Sequence, residues 1–383
     1  METFTNIKSI AVIGAGPTGL AAVKYLKAEN AFDRIVVFEQ RHEVGGVWNY
    51  TGDSFQQHQS DLTIPRTKLA ESVEQPVLIR TATGAANHVF PSPIYESLET
   101  NIPHTLMNYS DQPFPTDCPL FPPHRVVKQY LEEYADDIRG HLKLETQITQ
   151  VRLVRDDGAR NTKWAIRYFD MASGTSCEEN FDAVVCASGH YSDPFVPEIP
   201  GISEFNGKYP GVISHSKYYR NPGPYADKKV IVVGNSASGL DISRQISTVA
   251  AQVIVSEKKK PTTLHNDLES IAYRPEIAEF FADSRTVCFI NGDTVANIDN
   301  IIFCTGYQYS FPFLKDLDPP VATTGERTRN VYQHIFYNLE PTLAFLALPQ
   351  RIVPFPVAEA QAAYVARVFS GRLVLPTLAE MKA

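Results

Sequence analysis

Two short glycine-rich segments in this chain have the composition of loops that bind through their backbone. Gly14-Ala15-Gly16-Pro17-Thr18-Gly19 lies near the start, and Gly234-Asn235-Ser236-Ala237-Ser238-Gly239 lies past the middle. Each follows a β-branched run, Ser9-Ile10-Ala11-Val12-Ile13 or Lys229-Val230-Ile231-Val232-Val233. Each opens into a helical pattern, Leu20 to Leu26 or Leu240 to Ile246. Strand, tight turn and helix in that order place unpaired helix N-terminal N–H groups where a pyrophosphate can meet them, and glycines permit its close approach. One such pattern alone is weak; two in matching context predict two dinucleotide sites on one chain.

The strand after each loop carries the sugar-binding signal. Arg34-Ile35-Val36-Val37-Phe38 ends at Glu39, 25 residues after Gly14, where a carboxylate accepts hydrogen bonds from an unphosphorylated ribose, as in FAD or NAD. Gln252-Val253-Ile254-Val255 runs into Ser256-Glu257-Lys258-Lys259-Lys260. This reads as a tip without a clean acid and with three lysines, suited to the 2′-phosphate of NADPH through Lys258 or its neighbours; a solvated turn is the alternative. Behind Glu39 and Gln40 comes Gly45-Gly46-Val47-Trp48, a glycine pair and a large aromatic that can admit and wall a flat ring system; ordinary core packing is the other role open to Trp48.

Just ahead of the second loop stands Tyr209-x-Gly211-x-x-x-His215-x-x-x-Tyr219. With the two loops, it makes the chain resemble the flavin-containing monooxygenases, specifically the fungal members of the eukaryotic-type group. Tyr209 takes the place of the usual phenylalanine. The likeness continues through Ser97 to Pro103, Tyr109 to Pro115, Ala187-Ser188-Gly189-His190, Ile302 to Tyr307 and Pro341 to Leu346. Three departures stand out: Ser236 replaces the middle glycine of the second loop, Thr51 to Phe90 reads as a polar surface excursion, and related enzymes run on well past Ser370 to Pro376.

The resemblance implies FAD in the first site and NADPH or NADP+ in the second. It implies reduction of FAD by NADPH, reaction with O2 to a peroxyflavin, and oxygenation of a soft amine nitrogen or sulfur of a small molecule, as in N,N-dimethylaniline monooxygenases. Thr100 and Asn101 then fall beside the flavin. Asn101 carries the key polar role, its neutral amide orienting NADP+; the competing role is a turn cap before Pro103. Tyr209, Gly211, His215 and Tyr219 are expected to brace structure, as is Asp241. A Baeyer–Villiger monooxygenase is the nearest alternative, although its motif commonly ends in tryptophan where this chain has Tyr219. An NADPH oxidase or redox-sensing flavoprotein is the alternative from another class.

Composition narrows the field. At 383 residues with net charge −8, the chain fits more than one domain and disfavours nucleic acid as partner. No apolar run is long enough for a membrane anchor, and the start lacks a secretory pattern. Five cysteines without a close redox pair argue against a disulfide reductase and suit a reducing, cytoplasmic setting. No metal set is apparent, and oligomerisation is left open. The expected fold is α/β with two Rossmann-like dinucleotide-binding domains: FAD-binding segments at residues 1–195 and 298–383, and a smaller NADPH domain at 196–297 inserted between them. The chain is expected to leave by Pro194 to Pro200 and return to the flavin domain at Ile301 to Gly306.

Overall fold

The computed structural model describes residues 6–52, 69–80, 86–155, 162–258 and 270–382. A seven-stranded sheet centres on Ser9–Ile13, which pairs in parallel with Arg34–Phe38 on one side and Ala183–Cys186 on the other. Leu343–Phe345 extends it beyond Ala183–Cys186, so the last quarter of the chain completes the sheet that the first residues began. Side chains alternate between its faces with the period of a strand. Ile10 and Val12 join the core under the helices Pro17–Ala28, His124–Tyr134 and Pro354–Phe369, and Ala11 and Ile13 join a second core. That second core lies against an antiparallel sheet of Thr146–Arg155, Thr162–Asp170 and Thr175–Phe181, where Trp164 is fully buried and donates its indole N–H to Thr342 Oγ1 at 2.9 Å.

The second sheet repeats this plan. Ile213–His215, Asn300–Phe303, Lys229–Val233, Gln252–Ser256 and Ile271–Arg274 lie side by side, all in parallel. Val230 and Val232 pack toward the helix Ala237–Ser247, while Ile231 and Val233 face the small antiparallel sheet of Ile277–Phe281, Thr286–Phe289 and Thr294–Ala296. Each fully buried branched side chain of this kind contributes roughly 1.5–3 kcal/mol. The alternation therefore fixes which face carries the helix.

Two expectations need correction. Asn300–Phe303, expected in the returning flavin segment, is hydrogen-bonded between Ile213–His215 and Lys229–Val233; its apolar run on both faces suits a central parallel strand of the second sheet. The return crossing follows it: Tyr307–Gln308 pairs antiparallel with Asp193–Pro194, the outgoing crossing. The described part of the stretch from Thr51 to Phe90 is also more than a surface excursion. Val77–Arg80 and Ala86–Val89 form a hairpin, Phe90 is buried, and residues 69–77 wall the cleft between the sheets.

Candidate functional site

A cleft of about 1820 Å³ opens between the two sheets. Of the residues singled out from sequence, it brings together Gly14, Gly16, Pro17, Thr18, Glu39, Gln40, Gly46, Val47, Trp48, Thr100, Asn101 and Ser238. Ala15 and Gly19 lie behind the first loop, buried. Gly234, Ser236 and Gly239 support the second loop without lining this cleft, and Lys258 stands apart, 85% exposed with Nζ 3.6 Å from Glu276 Oε1. Lys259 and Lys260 lie outside the described residues.

The first loop is shaped by close backbone approach. Gly14 has φ +101°, and a Cβ there would stand 2.7 Å from the Ala187 carbonyl oxygen; one on Gly19 would stand 1.9 Å from the Gly14 carbonyl oxygen. Only glycine fits. Gly16 differs: at φ −74° and ψ −177° its backbone suits any residue, and a Cβ would meet nothing nearer than Gly46 Cα at 3.5 Å. The fold alone does not require a glycine there; a ligand resting on that backbone would. Gly16 is the N-cap of Pro17–Ala28 with no side-chain cap, so the N–H groups of the first turn are open to an anion.

Glu39 is 5% exposed at the tip of Arg34–Phe38. Its Oε2 accepts from Ala15 N–H at 2.7 Å and its Oε1 from Arg41 N–H at 2.9 Å. A carboxylate offers about four lone-pair directions, so two remain for ribose hydroxyls. Trp48 lies at the end of the short helix Gly46–Trp48 and packs against the main core while also lining the cleft, so the two roles weighed for it coexist. These residues fit a flavin dinucleotide.

Asn101 is exposed in the cleft, and no hydrogen bond joins its side-chain amide to another described residue. The turn is held instead by Thr100, whose Oγ1 donates to Ile102 O at 2.9 Å and whose N–H donates to Pro122 O at 3.0 Å. A cap role for Asn101 therefore has no bond to rest on.

The aromatic-Gly-His-aromatic motif works as a brace. His215 is fully buried: Nδ1 accepts from Lys217 N–H at 3.1 Å, which leaves Nε2 as the donor to Gly306 O at 3.0 Å. Tyr209 Oη donates to Ala282 O at 2.9 Å, Gly211 turns at φ +82°, and buried Tyr219 donates to Gln245 Oε1 at 3.0 Å. Gln245 Nε2 in turn donates to Asp241 Oδ2 at 3.0 Å, and Tyr95 Oη donates to the same oxygen. None of the four motif residues lines the cleft.

Sequence reasoning missed several groups. Ser188 Oγ and His190 Nε2 are buried without a hydrogen-bond partner among the described residues, in residues that line the cleft after Ala187. Burial pushes the His190 imidazole down to about 4, so it is neutral at physiological pH. Lys217, 2% exposed at its side chain, reaches across to Glu74 Oε1 at 2.6 Å, tying the cleft wall of residues 69–77 to the second sheet. The strand-tip reading also changes: Gln252–Ser256 ends one residue later than expected, so Glu257 stands at its tip as Glu39 does at the first. All five cysteines are free, and burial pushes Cys186 upward and the Cys304 thiol up to about 12, which leaves both inert. Among the described residues no group of three His, Cys, Asp or Glu side chains is placed to hold a metal.

Comparison with known proteins gives this arrangement its class. The flavin-binding monooxygenase-like family matches residues 88–269 and 267–383, and an NAD(P)-binding Rossmann-like domain matches residues 12–63. Flavin-containing monooxygenase FMO GS-OX1 of Arabidopsis thaliana is 34% identical over 98% of this chain and 76% of its own length. The S-allyl-L-cysteine S-oxygenase structure from Allium sativum superposes with a TM-score of 0.78 at 32% identity, covering 98% of this chain and 80% of that one. Tmm from Pelagibacter sp. strain HTCC7211 gives 0.77 at 25% identity, with 98% and 78% covered. Bacillithiol disulfide reductase and cyclohexanone monooxygenase, at 16% and 14% identity, share the fold. The chain belongs to the flavin-binding monooxygenase-like family. It is an FAD-dependent, NADPH-using monooxygenase acting with O2 on a small molecule. No helix among the described residues is long and apolar enough to cross a membrane.

Proposed function

We propose that this enzyme oxygenates a soft sulfur or nitrogen of a small molecule in the cleft between its two sheets. FAD lies along the first unit, at Gly14 to Gly19, Glu39, Gln40, Gly46 to Trp48, Thr100 and Asn101. The nicotinamide coenzyme lies on the second, at Gly234, Ser236, Ser238, Gly239 and Lys258. The flavin domain then comprises residues 1–195 together with the chain from about residue 305, and the intervening residues form the coenzyme domain. The observation that carries this reading is Gly16, a glycine that its own backbone does not require, placed at a bare helix N-terminus beside a buried strand-tip carboxylate.

When bound, the flavin supplies hydride acceptance and oxygen activation. The chain's own residues do the rest. The first-turn N–H groups hold the pyrophosphate, and Glu39 fixes the ribose. Trp48, Met107 and Phe355 line the cleft with apolar surface that keeps water from the reacting centre. Asn101 offers a neutral amide that donates and accepts without supplying an acidic proton, which suits a site that must not release hydrogen peroxide. Sulfur is favoured as the acceptor because the relative from Allium sativum is described as an S-oxygenase. The free cysteines suit a reducing compartment, the cytoplasm.

The test is oxygen uptake and NADPH oxidation with a thioether, a tertiary amine or cyclohexanone, with product identified by mass. Sulfoxide or N-oxide formed in step with NADPH use is the expected result. Ester from the ketone alone, or hydrogen peroxide as the sole product throughout, would replace this reading with a Baeyer–Villiger enzyme or an oxidase.

A further inference from the structure

The second loop repeats the backbone plan of the first at the strand tip. Gly14 N–H donates to Phe38 O at 2.8 Å, and Gly234 N–H donates to Ser256 O at 2.8 Å. The residue following each strand is a glutamate held by the second residue of its loop. Glu39 Oε2 takes Ala15 N–H at 2.7 Å, and Glu257 Oε2 takes Asn235 Nδ2 at 2.9 Å. The other oxygens differ. Glu39 Oε1 accepts from Arg41 N–H, whereas Glu257 Oε1 is buried with no hydrogen-bond partner among the described residues. An orphaned carboxylate oxygen at a strand tip is costly unless something donates to it, and ribose hydroxyls at this place in a dinucleotide-binding unit do so.

Its neighbour pulls the other way. Lys258 is largely exposed to solvent, paired among the described residues with Glu276 at 3.6 Å, and a phosphate on the 2′ position would attract it. The same phosphate would be repelled by Glu257. Arg274, whose backbone carbonyl receives Glu257 N–H at 3.1 Å, pairs its Nε with Asp293 Oδ2 at 3.2 Å, and among the described residues no ion pair joins it to the glutamate.

We propose that Glu257 receives the adenosine ribose of an unphosphorylated nicotinamide dinucleotide, so that the enzyme takes NADH as well as NADPH, with Glu257 and Lys258 setting the balance. This rests on the second unit being the coenzyme site. The experiment is calorimetric binding of NAD+, NADP+ and 2′,5′-ADP to the FAD-loaded enzyme and to its Glu257→Gln, Glu257→Ser and Lys258→Ala variants, with FAD content and thermal unfolding recorded for each. The expected result is measurable NAD+ binding by the wild type. Glu257→Gln then shifts the NAD+ to NADP+ affinity ratio about fivefold or more toward NADP+ and tightens 2′,5′-ADP, and Lys258→Ala shifts the ratio the opposite way. Glu257→Ser reports the same shift should the glutamine variant lose its FAD. A ratio that moves less than this in the folded Glu257 variants, or a wild type that binds NADP+ and not NAD+, overturns the inference while leaving the coenzyme site in place. A wild type that binds neither dinucleotide overturns the site assignment, and the inference with it.

Discussion

Around Gly16 the first loop is buried, with Gly46 packed over it and Gly45 N–H donating to Ala15 O at 2.9 Å; around Ser236 the second loop is exposed through Ala237 and Ser238. The supporting glycines are otherwise equivalent. A Cβ on Gly239 would stand 1.9 Å from Gly234 O, as one on Gly19 would from Gly14 O, and Gly234 presses on Cys304 O as Gly14 does on Ala187 O. The difference lies in what covers the loop. A cofactor that stays through every turnover is served by a closed cradle; a coenzyme that arrives reduced and leaves oxidised is served by an open one. One structural plan thus supports a resident group and an exchanging one.

Substitution at the matched glycines breaks this comparison most severely. Gly19→Val is expected to abolish the first site and most soluble protein, because the side chain meets backbone that cannot yield. Gly239→Val meets the same clash and is expected to lower the soluble yield as well, but the molecules that fold should keep FAD and lose flavin reduction by NADPH, since the distortion lies in the second loop. Flavin absorbance and anaerobic reduction measure both; equal loss of FAD in the two variants would mean the loops do not divide the cofactors this way. Gly16→Val comes next. Its backbone conformation tolerates a side chain, so the fold should survive while FAD occupancy falls by about tenfold or more. Full FAD in the purified variant would sink the assignment of the first loop.

Asn101 tests the space the two loops share. Asn101→Ala and Asn101→Asp should leave flavin reduction nearly intact while oxygenated product falls about tenfold and hydrogen peroxide rises to account for the NADPH consumed. Unchanged coupling with both cofactors bound would assign protection of the oxygenating state to other groups.

Much of this was legible because backbone chemistry restricts residue type. Two strand-glycine-helix units and the Glu39 tip follow from such restrictions, and Trp48, behind its glycine pair, lines the cleft. Other features depend on pairing between distant segments. Asn300–Phe303 reads the same whether it belongs to one sheet or the other, since a strand buried on both faces carries no alternation to mark its partner. Glu257 was hidden by three following lysines that look like a single basic run; only the register, Val233 opposite Ser256, shows that the acid takes the tip. Residues 69–77 gave no periodic signal, because a cleft wall tied down by single polar links, Glu74 to Lys217 and Gln147, and Ala70 to Asp193, needs none.

The turns beneath the loops also differ, with His190 after Gly189 and Tyr307 after Gly306. The folded imidazole titrates near 4 because burial disfavours its charge, below the ordinary value near 6.5. A depressed folded value means that the unfolded chain binds the proton more tightly. The stability this group contributes is therefore fully present above about pH 6.5 and is lost as pH falls toward 4. Urea unfolding across that window should show stability falling with acidity, by up to about 1.4 kcal/mol per pH unit from this one group, and His190→Asn should remove that part of the slope. A variant with the wild-type slope would mean that His190 is protonated in the folded enzyme.

The smallest effect is expected at the middle glycine position, where the second loop carries the hydroxymethyl side chain of Ser236. Ser236 is the N-cap of Ala237–Ser247 yet makes no side-chain cap hydrogen bond, and its backbone, at φ −96° and ψ −162°, is extended like that of Gly16. Ser236→Gly should then cost only a few tenths of a kcal/mol of stability. It gives the loop the glycine pattern of its counterpart and lets the coenzyme pyrophosphate approach more closely, at the loss of one hydroxyl that can donate to it. These effects oppose, so the KM for NADPH should move by less than about threefold with kcat unchanged. The reciprocal change, Gly16→Ser, is tolerated by the fold but puts a side chain where the pyrophosphate would rest, and should lower FAD retention on dilution. If instead Ser236→Gly weakened NADPH by more than about tenfold, the serine hydroxyl would be a principal coenzyme ligand, and the open loop would bind through its side chains where the closed one binds through its backbone.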